Sequence, residues 1–381
     1  MNQLWNSVFR GCVTLFSVLE ICAVCAFSAD AGESGGIPIF SAAPGHGVWS
    51  AVGPMDYERD WFTAITLRNS QVLVAGGYSY ETYTVPDAEL FDSTTRRWIE
   101  TGEMHFGRYS HTATLLANGR VLVAGGYDGD EMLSAEIYNP AVGTWSNTGS
   151  LNVAREQHAA ALLQDGRVLV VGGYGDYGTV ATTELFNPAT GRWTLADNLP
   201  VPLSWTTVTT LRNGRVLVAG GYTDTGGVTN CELFDPSTGR WTQTGRLHIP
   251  RFFHTATLLA DGRVLVAGGD DGSYGGTNTA EIYNPATGVW SWAGNMRNAR
   301  TLHTAALLAD GRVLVAGGWN GQVIPWAEIF YPASQSWFAT GRLITGRNEH
   351  TSAVLLNGRV LVTGGLDQNS NVLGSTEVLN P

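Results

Sequence analysis

Hydrophobic and polar positions in this chain repeat with a period far longer than that of a strand or a helix. An apolar run ending in Gly-Gly occurs seven times. It is Val72-Leu73-Val74-Ala75-Gly76-Gly77 first, then runs ending at Gly125-Gly126, Gly172-Gly173, Gly220-Gly221, Gly268-Gly269, Gly317-Gly318 and Gly364-Gly365. Successive copies lie 47 to 49 residues apart, a period that marks propeller blades or solenoid units. Each copy predicts four strands. Strand A resembles His111-Thr112-Ala113-Thr114-Leu115-Leu116, and strand B is the apolar run itself, buried on both faces. Between them stand Asn118-Gly119, Asp165-Gly166, Asn213-Gly214, Asp261-Gly262, Asp310-Gly311 and Asn357-Gly358, which predict two-residue type I′ hairpin turns. Strand C resembles Ala135-Glu136-Ile137-Tyr138 and stops at Asn-Pro or Asp-Pro, where proline cannot continue a ladder. Strand D carries a Trp.

Four landmarks hold their spacing. Phe62, His111, His158, Thr206, His254, His303 and His350 each precede the second Gly of Gly-Gly by 15 residues. A Glu follows (Glu89, Glu136, Glu184, Glu232, Glu281, Glu328, Glu377), and nine residues later a Trp (Trp98, Trp145, Trp193, Trp241, Trp290, Trp337). Only the Gly-Gly to Glu interval varies, so length variation falls in the B-to-C loop. The two ends are out of phase with the repeat. The chain stops after strand C at Asn380-Pro381, and the missing Trp stands at the other end, as Trp49, 13 residues before Phe62. The N-terminal strand is therefore expected to complete the last blade, closing a ring and removing free sheet edges. Residues 46 to 381 make seven blades of 48.

The first 28 residues differ. Arg10 precedes an apolar stretch, Gly11 to Phe27, and Ala26-Phe27-Ser28 offers the small residues of a cleavage site. This predicts a signal peptide and a secreted or periplasmic protein. Glu20 interrupts the stretch, so an uncleaved anchor stands as the alternative. Residues 29–45 read as a linker, and no later segment predicts a membrane span. Cys12, Cys22 and Cys25 lie in the leader; Cys231 is the one cysteine of the body and sits in a strand C slot otherwise held by Ala or Thr, which suits a small buried filler. The net charge of −11 with no basic run argues against nucleic-acid binding.

The Gly-Gly, the Tyr or Phe of strand C (Phe91, Tyr138, Phe186, Phe234, Tyr283) and the Trp resemble the kelch repeat, over about nine-tenths of the chain. The resemblance implies an all-β fold, a seven-bladed kelch β-propeller of the superfamily that includes the central domain of galactose oxidase. Kelch propellers in general are protein-binding platforms. Some secreted kelch-like proteins are enzymes, of the galactose oxidase class or sialic acid mutarotases, and fold alone does not choose among them. The expectation is a monomeric protein- or glycan-binding scaffold that uses the B-to-C loop face, with no catalytic group, metal or cofactor. A carbohydrate-active enzyme is the alternative. The galactose oxidase-like form of it is disfavoured, since its copper site needs a Tyr-Cys crosslink and Cys231 looks buried.

Ligand-binding candidates follow from position. Arg59, Arg108, Arg155, Arg251, Arg300 and Arg347 lie three residues before the His position, with Leu203 in blade four. They could grip carboxylates at the rim, or pair with the blade Glu series. Trp61 and Trp205 stand where the His column breaks, and Trp319 replaces the Tyr that follows Gly-Gly elsewhere (Tyr127, Tyr174, Tyr222). Aromatic side chains on a concave rim suit sugar rings or peptide side chains. The His column reads as blade-building, and the acidic B-to-C loops (Asp128, Asp130, Glu131, Asp176, Asp224, Asp270, Asp271, Asp367) lack the spacing of a Ca²⁺ loop.

Overall fold

The computed structural model describes residues 47–380 except Tyr274. The expected signal segment and the linker lie outside the described residues. The propeller unit spans His46–Pro381. Its described residues form seven four-stranded antiparallel sheets and three two-stranded hairpins, without helix. No helix among them is long and apolar enough to cross a membrane.

Blade two shows how the repeat folds. Strand A, Thr112–Leu115, pairs with strand B, Val121–Ala124; B pairs with C, Ala135–Asn139, and C with D, Thr144–Asn147. The apolar run of strand B is fully buried in all seven blades. That follows from its unbroken apolar sequence and its place between two neighbouring sheets. Across C and D an aromatic pair forms in each of six blades, as in Tyr138–Trp145 with ring centroids 5.1 Å apart. The indole then reaches the preceding blade: Trp145 Nε1 donates to the Gly102 carbonyl and Trp193 Nε1 to that of Gly149.

The ring closes as the phase of the ends requires. Val48–Val52 pairs antiparallel with Thr376–Asn380, setting Trp49 opposite Leu379. Trp49 is buried, and its Nε1 donates to the Gly341 carbonyl of blade six at 2.9 Å. It thus makes the same latch as the Trp of other blades.

The Gly-Gly step explains itself at the seam between blades. The N–H of the second Gly donates to the carbonyl at the Arg position of the next blade, from Gly77 to Arg108 round to Gly365 to Arg59, at 2.8–3.0 Å. Approach is so close that a Cβ on Gly76 would come 2.5 Å from both the Arg108 carbonyl oxygen and the His111 ring. Gly76 and Gly77 also have φ of 69° and 112°, where a side chain is strained.

The turn between strands A and B departs from expectation. Gly119 has φ of 83°, but Asn118 is not in the left-handed region. The Gly119 N–H donates to the Leu116 carbonyl, and the Leu116 N–H to that of Arg120. This is a type I turn followed by a left-handed glycine, the three-residue hairpin, rather than type I′. The Asn118 side chain accepts the Arg120 N–H at 3.0 Å, which favours Asn or Asp at that corner without a positive φ.

Removing the closing strand should be costly. A chain shortened to begin at residue 57 would bare the Thr376–Asn380 edge and the surface under Trp49. It is expected to melt clearly lower than one beginning at residue 30, or to aggregate. Equal melting temperatures would show that the strand is not needed for closure.

Candidate functional site

The six blade arginines do not lie at the rim. Each is fully buried inside its own blade and ion-paired with that blade's Glu at 2.7–3.1 Å. Nη1 also donates to the carbonyl of the first Gly of Gly-Gly, at 2.7–2.8 Å. The Glu accepts in addition the backbone N–H three residues before the Arg, from Asp56, His105, Asn152, His248, Arg297 and Ile344. The idea that Arg59, Arg108, Arg155, Arg251, Arg300 and Arg347 grip a ligand is therefore corrected. A buried guanidinium already committed to a carboxylate and to backbone carbonyls has nothing to offer one.

The His column is framework too. Nε2 of His111, His158, His254, His303 and His350 lies 2.8–3.1 Å from a Thr hydroxyl on strand A of the preceding blade. Burial and the adjacent guanidinium keep the imidazoles neutral; that of His111 is pushed down to about 3. Cys231 is fully buried, and burial pushes its thiol up to about 12. Among the described residues no three of His, Cys, Asp and Glu are placed to hold a metal.

Between the fixed Arg and the fixed His lie two positions in each blade that carry no repeated residue type. They read Asp60-Trp61, Tyr109-Ser110, Glu156-Gln157, Ser204-Trp205, Phe252-Phe253, Thr301-Leu302 and Asn348-Glu349. The second member is left-handed in all seven blades, with φ from 48° at Trp61 to 55° at Leu302 and Glu349. For non-glycine residues that conformation costs on the order of 1–3 kcal/mol each and persists only where the surroundings impose it. In five blades Arg and His clamp the segment at both ends; blade one has Phe62 in the His position, and blade four has Leu203 and Thr206. Backbone hydrogen bonds run from member to member: Ser110 to Trp61, Gln157 to Ser110, Trp205 to Gln157, Leu302 to Phe253 and Glu349 to Leu302.

The seven side chains surround one mouth of the central channel. With the His-position residues they line a cavity of about 300 Å³, and a second cavity of about 420 Å³ continues between the A strands over Thr and Ala. Trp61, Trp205 and Phe253 narrow the mouth. Phe253 lies 4.5 Å from Trp205 and 6.1 Å from Trp61, ring centre to ring centre. The first member of each pair bridges to the residue after Gly-Gly, as in Asp60 with Tyr78, Tyr109 with Tyr127, Glu156 with Tyr174, Ser204 with Tyr222 and Thr301 with Trp319.

All three candidate indoles are partly exposed, as are Tyr127, Tyr174 and Tyr222. They do not form one cluster. Trp61 and Trp205 line the mouth, whereas Trp319 is held on the loop of blade six, bridged to Thr301 and Val323. Tyr222 packs on Trp205 and Phe252. Outside the mouth, Tyr80, Tyr83 and Tyr109 surround Tyr78, and Tyr177 on the hairpin of blade three is fully exposed. Three of the acidic loop residues cap their own turns: Asp270 accepts the N–H of Gly272, Asp271 that of Ser273, and Asp367 those of Asn369 and Asn371.

Asp60, Phe253, Leu302 and Glu349 were not singled out from sequence. The available signal was their position: two residues without a repeat between two that repeat.

Comparison with known proteins agrees with the geometry. A family model described as the Attractin/LZTR1 beta-propeller matches residues 72–324, well over half of the chain. No curated protein sequence matches. A solved structure described as a novel fungal alcohol oxidase with catalytic diversity among the AA5 family, in complex with copper, aligns with a TM-score of 0.74. It is 18% identical, and the alignment covers 88% of this chain and 76% of that one. At that identity the likeness is one of fold. The residues here do not fit a copper site, since each blade His already bonds a Thr hydroxyl and Cys231 is enclosed in strand C.

Blade four is the exception to the Arg–Glu clamp. Leu203 stands for Arg, and Pro200, which has no N–H, stands where the other blades donate to Glu. Glu232 is buried and neither carboxylate oxygen has a partner. Burial lifts its carboxyl above the usual range, opposed only by Arg246. An acid with a raised folded pKa gives its full stability below its unfolded value and loses it as pH rises through the folded value. Glu232→Gln should match the parent near pH 4 and exceed it by on the order of 1 kcal/mol at pH 8. In contrast, Glu136→Ala strands the buried Arg108 and should cost about 3–5 kcal/mol. Urea melts of both variants at the two pH values check this; a Glu232→Gln effect independent of pH would count against it.

Proposed function

Because this chain belongs to the Attractin/LZTR1 beta-propeller family of kelch-type propellers, we propose that it is an exported, non-catalytic binding platform whose B-to-C loop face docks a protein. The observation that carries the reading is the division of labour around the mouth. Arg, Glu, His and Gly-Gly repeat and are buried, while the residue just before the His position differs from blade to blade and is held rigidly at the opening. Rigid presentation of varied side chains lowers the ordering cost of binding. The surrounding loops extend that surface with exposed Tyr80, Tyr83, Phe106, Leu133 and Tyr177. These spread over the first three blades instead of converging on one polar pocket. Tyr in such a setting supplies large contact area with a polar tip.

A glycan is the other occupant such aromatics could take, and the test separates the two. The propeller is immobilised and offered a glycan array and the exported proteins of its source. Tyr83→Ala with Tyr177→Ala is expected to weaken protein capture at least tenfold, about 1.4 kcal/mol, without lowering the melting temperature. Ile99→Ala with Leu195→Ala, exposed on D strands, should leave it unchanged. Capture that ignores the Tyr changes, or binding confined to glycans, would falsify the protein-docking assignment.

A further inference from the structure

Two acids beside the closing seam, Glu349 lining the mouth and Asp60 buried, have no cation of their own. Asp60 in blade one and Glu349 in blade seven belong to the variable pairs and stand on either side of the seam that closes the ring. Asp60 is 2% exposed, and its Oδ1 has no hydrogen-bond partner. Glu349 is partly exposed, lines the mouth cavity and takes the indole N–H of Trp61. The nearest arginines in sequence, Arg59 and Arg347, are turned into their blades and bound to Glu89 and Glu377. Among the described residues no ion pair includes Asp60 or Glu349.

We propose that Glu349, with the buried Asp60 behind it adding its charge, forms the receptor for one basic side chain, an arginine or lysine, carried by the protein that docks on this face. The inference rests on the docking reading above and gives that partner a required feature.

The site is built before the ligand arrives. Asp60 exchanges two backbone hydrogen bonds with Tyr78, of 3.1 and 2.9 Å, and Glu349 donates its N–H to the Leu302 carbonyl. Trp61 and Glu349 are fixed in the left-handed region. Tyr78 and Tyr80 flank Asp60, and the Tyr80 hydroxyl donates to the Ser370 carbonyl across the same seam. Burial is what leaves the pair in want of a charge. It pushes Glu349 up to about 7, and it raises Asp60 well above the carboxylate range, helped by repulsion from Glu349. The other titratable groups facing the pair are neutral: Tyr78, Tyr80 and Tyr109 are raised by burial, and His350 is pushed down to about 3. An incoming cation therefore displaces a proton from the pair, and its affinity rises with pH from 6 to 8.

The test uses the full chain and two blocked peptides, acetyl-Gly-Arg-Gly-amide and its citrulline counterpart, which keeps the shape and lacks the charge. Calorimetry at pH 8 should show the arginine peptide binding at least tenfold more tightly than the citrulline peptide, with proton release that grows as the pH is lowered to 6. Glu349→Gln alone, and together with Asp60→Asn, should abolish that preference while the variants melt no lower than the parent. Equal binding of the two peptides, no arginine binding up to about 10 mM, or a preference that survives in the double variant overturns the proposal. Loss of partner capture in the Tyr83 and Tyr177 variants is read separately, so the docking face and the cation receptor can fail independently.

Discussion

Six guanidiniums shut away from water set the geometry of this ring. Desolvating a charge costs several kcal/mol, and the cost is offset only when the ion is fully paired. Each arginine meets that demand in one way: a carboxylate on strand C, the carbonyl that ends strand B and a further carbonyl of the B-to-C loop, as Arg108 does with Glu136, Gly125 and Ser134. The connection from strand D is thereby pinned over the end of strand B, and the next blade must approach within hydrogen-bonding distance of a backbone with no room for a Cβ. Gly-Gly, the left-handed residue before the His position and the seam hydrogen bonds accompany that clamp, and all three persist in blade four, where Leu203 replaces Arg. Blade four shows what happens without it. Leu203 takes up apolar packing beside Leu199 and Val216, and Glu232 is left as a buried acid.

Much of this was legible in the sequence because framework residues recur for geometric reasons. Gly76-Gly77, Glu89 and Trp98 keep their spacing since each must meet its neighbour at one distance. Trp49 declared ring closure by being out of phase. The hairpin type was misread because Asn-Gly also fits a type I turn with a left-handed glycine, and only the hydrogen bonds of Leu116 distinguish them. The arginines could be read either as rim ligands or as partners of the blade Glu series, because sequence gives the connection they sit on, not the direction in which a side chain leaves it; the ion pairs decide for the second. Asp60 and Glu349 escaped notice for the opposite reason. They lie 289 positions apart and become neighbours only when the last blade meets the first.

The same division explains why the fold says little about activity. The propeller fold is shared with a solved fungal alcohol oxidase at 18% identity, and the residues that repeat from blade to blade in this chain are the buried ones. What differs from blade to blade stands between the clamps and on the loops. In this chain those positions hold aromatics and acids, which is the chemistry of recognition more readily than of electron transfer.

The pairing of the first strand with the last has a consequence for the order of synthesis. Ser50 bonds to Val378 across a separation of 328 residues. The earliest blade strand to emerge from the ribosome thus waits for nearly the whole chain before it finds its neighbour. Such long-range closure is slow and entropically late. The nascent polypeptide therefore cannot lock into its closed shape part-way. The junction between blades seven and one, where Asp60 and Glu349 meet, is then the last part of the molecule to come into existence.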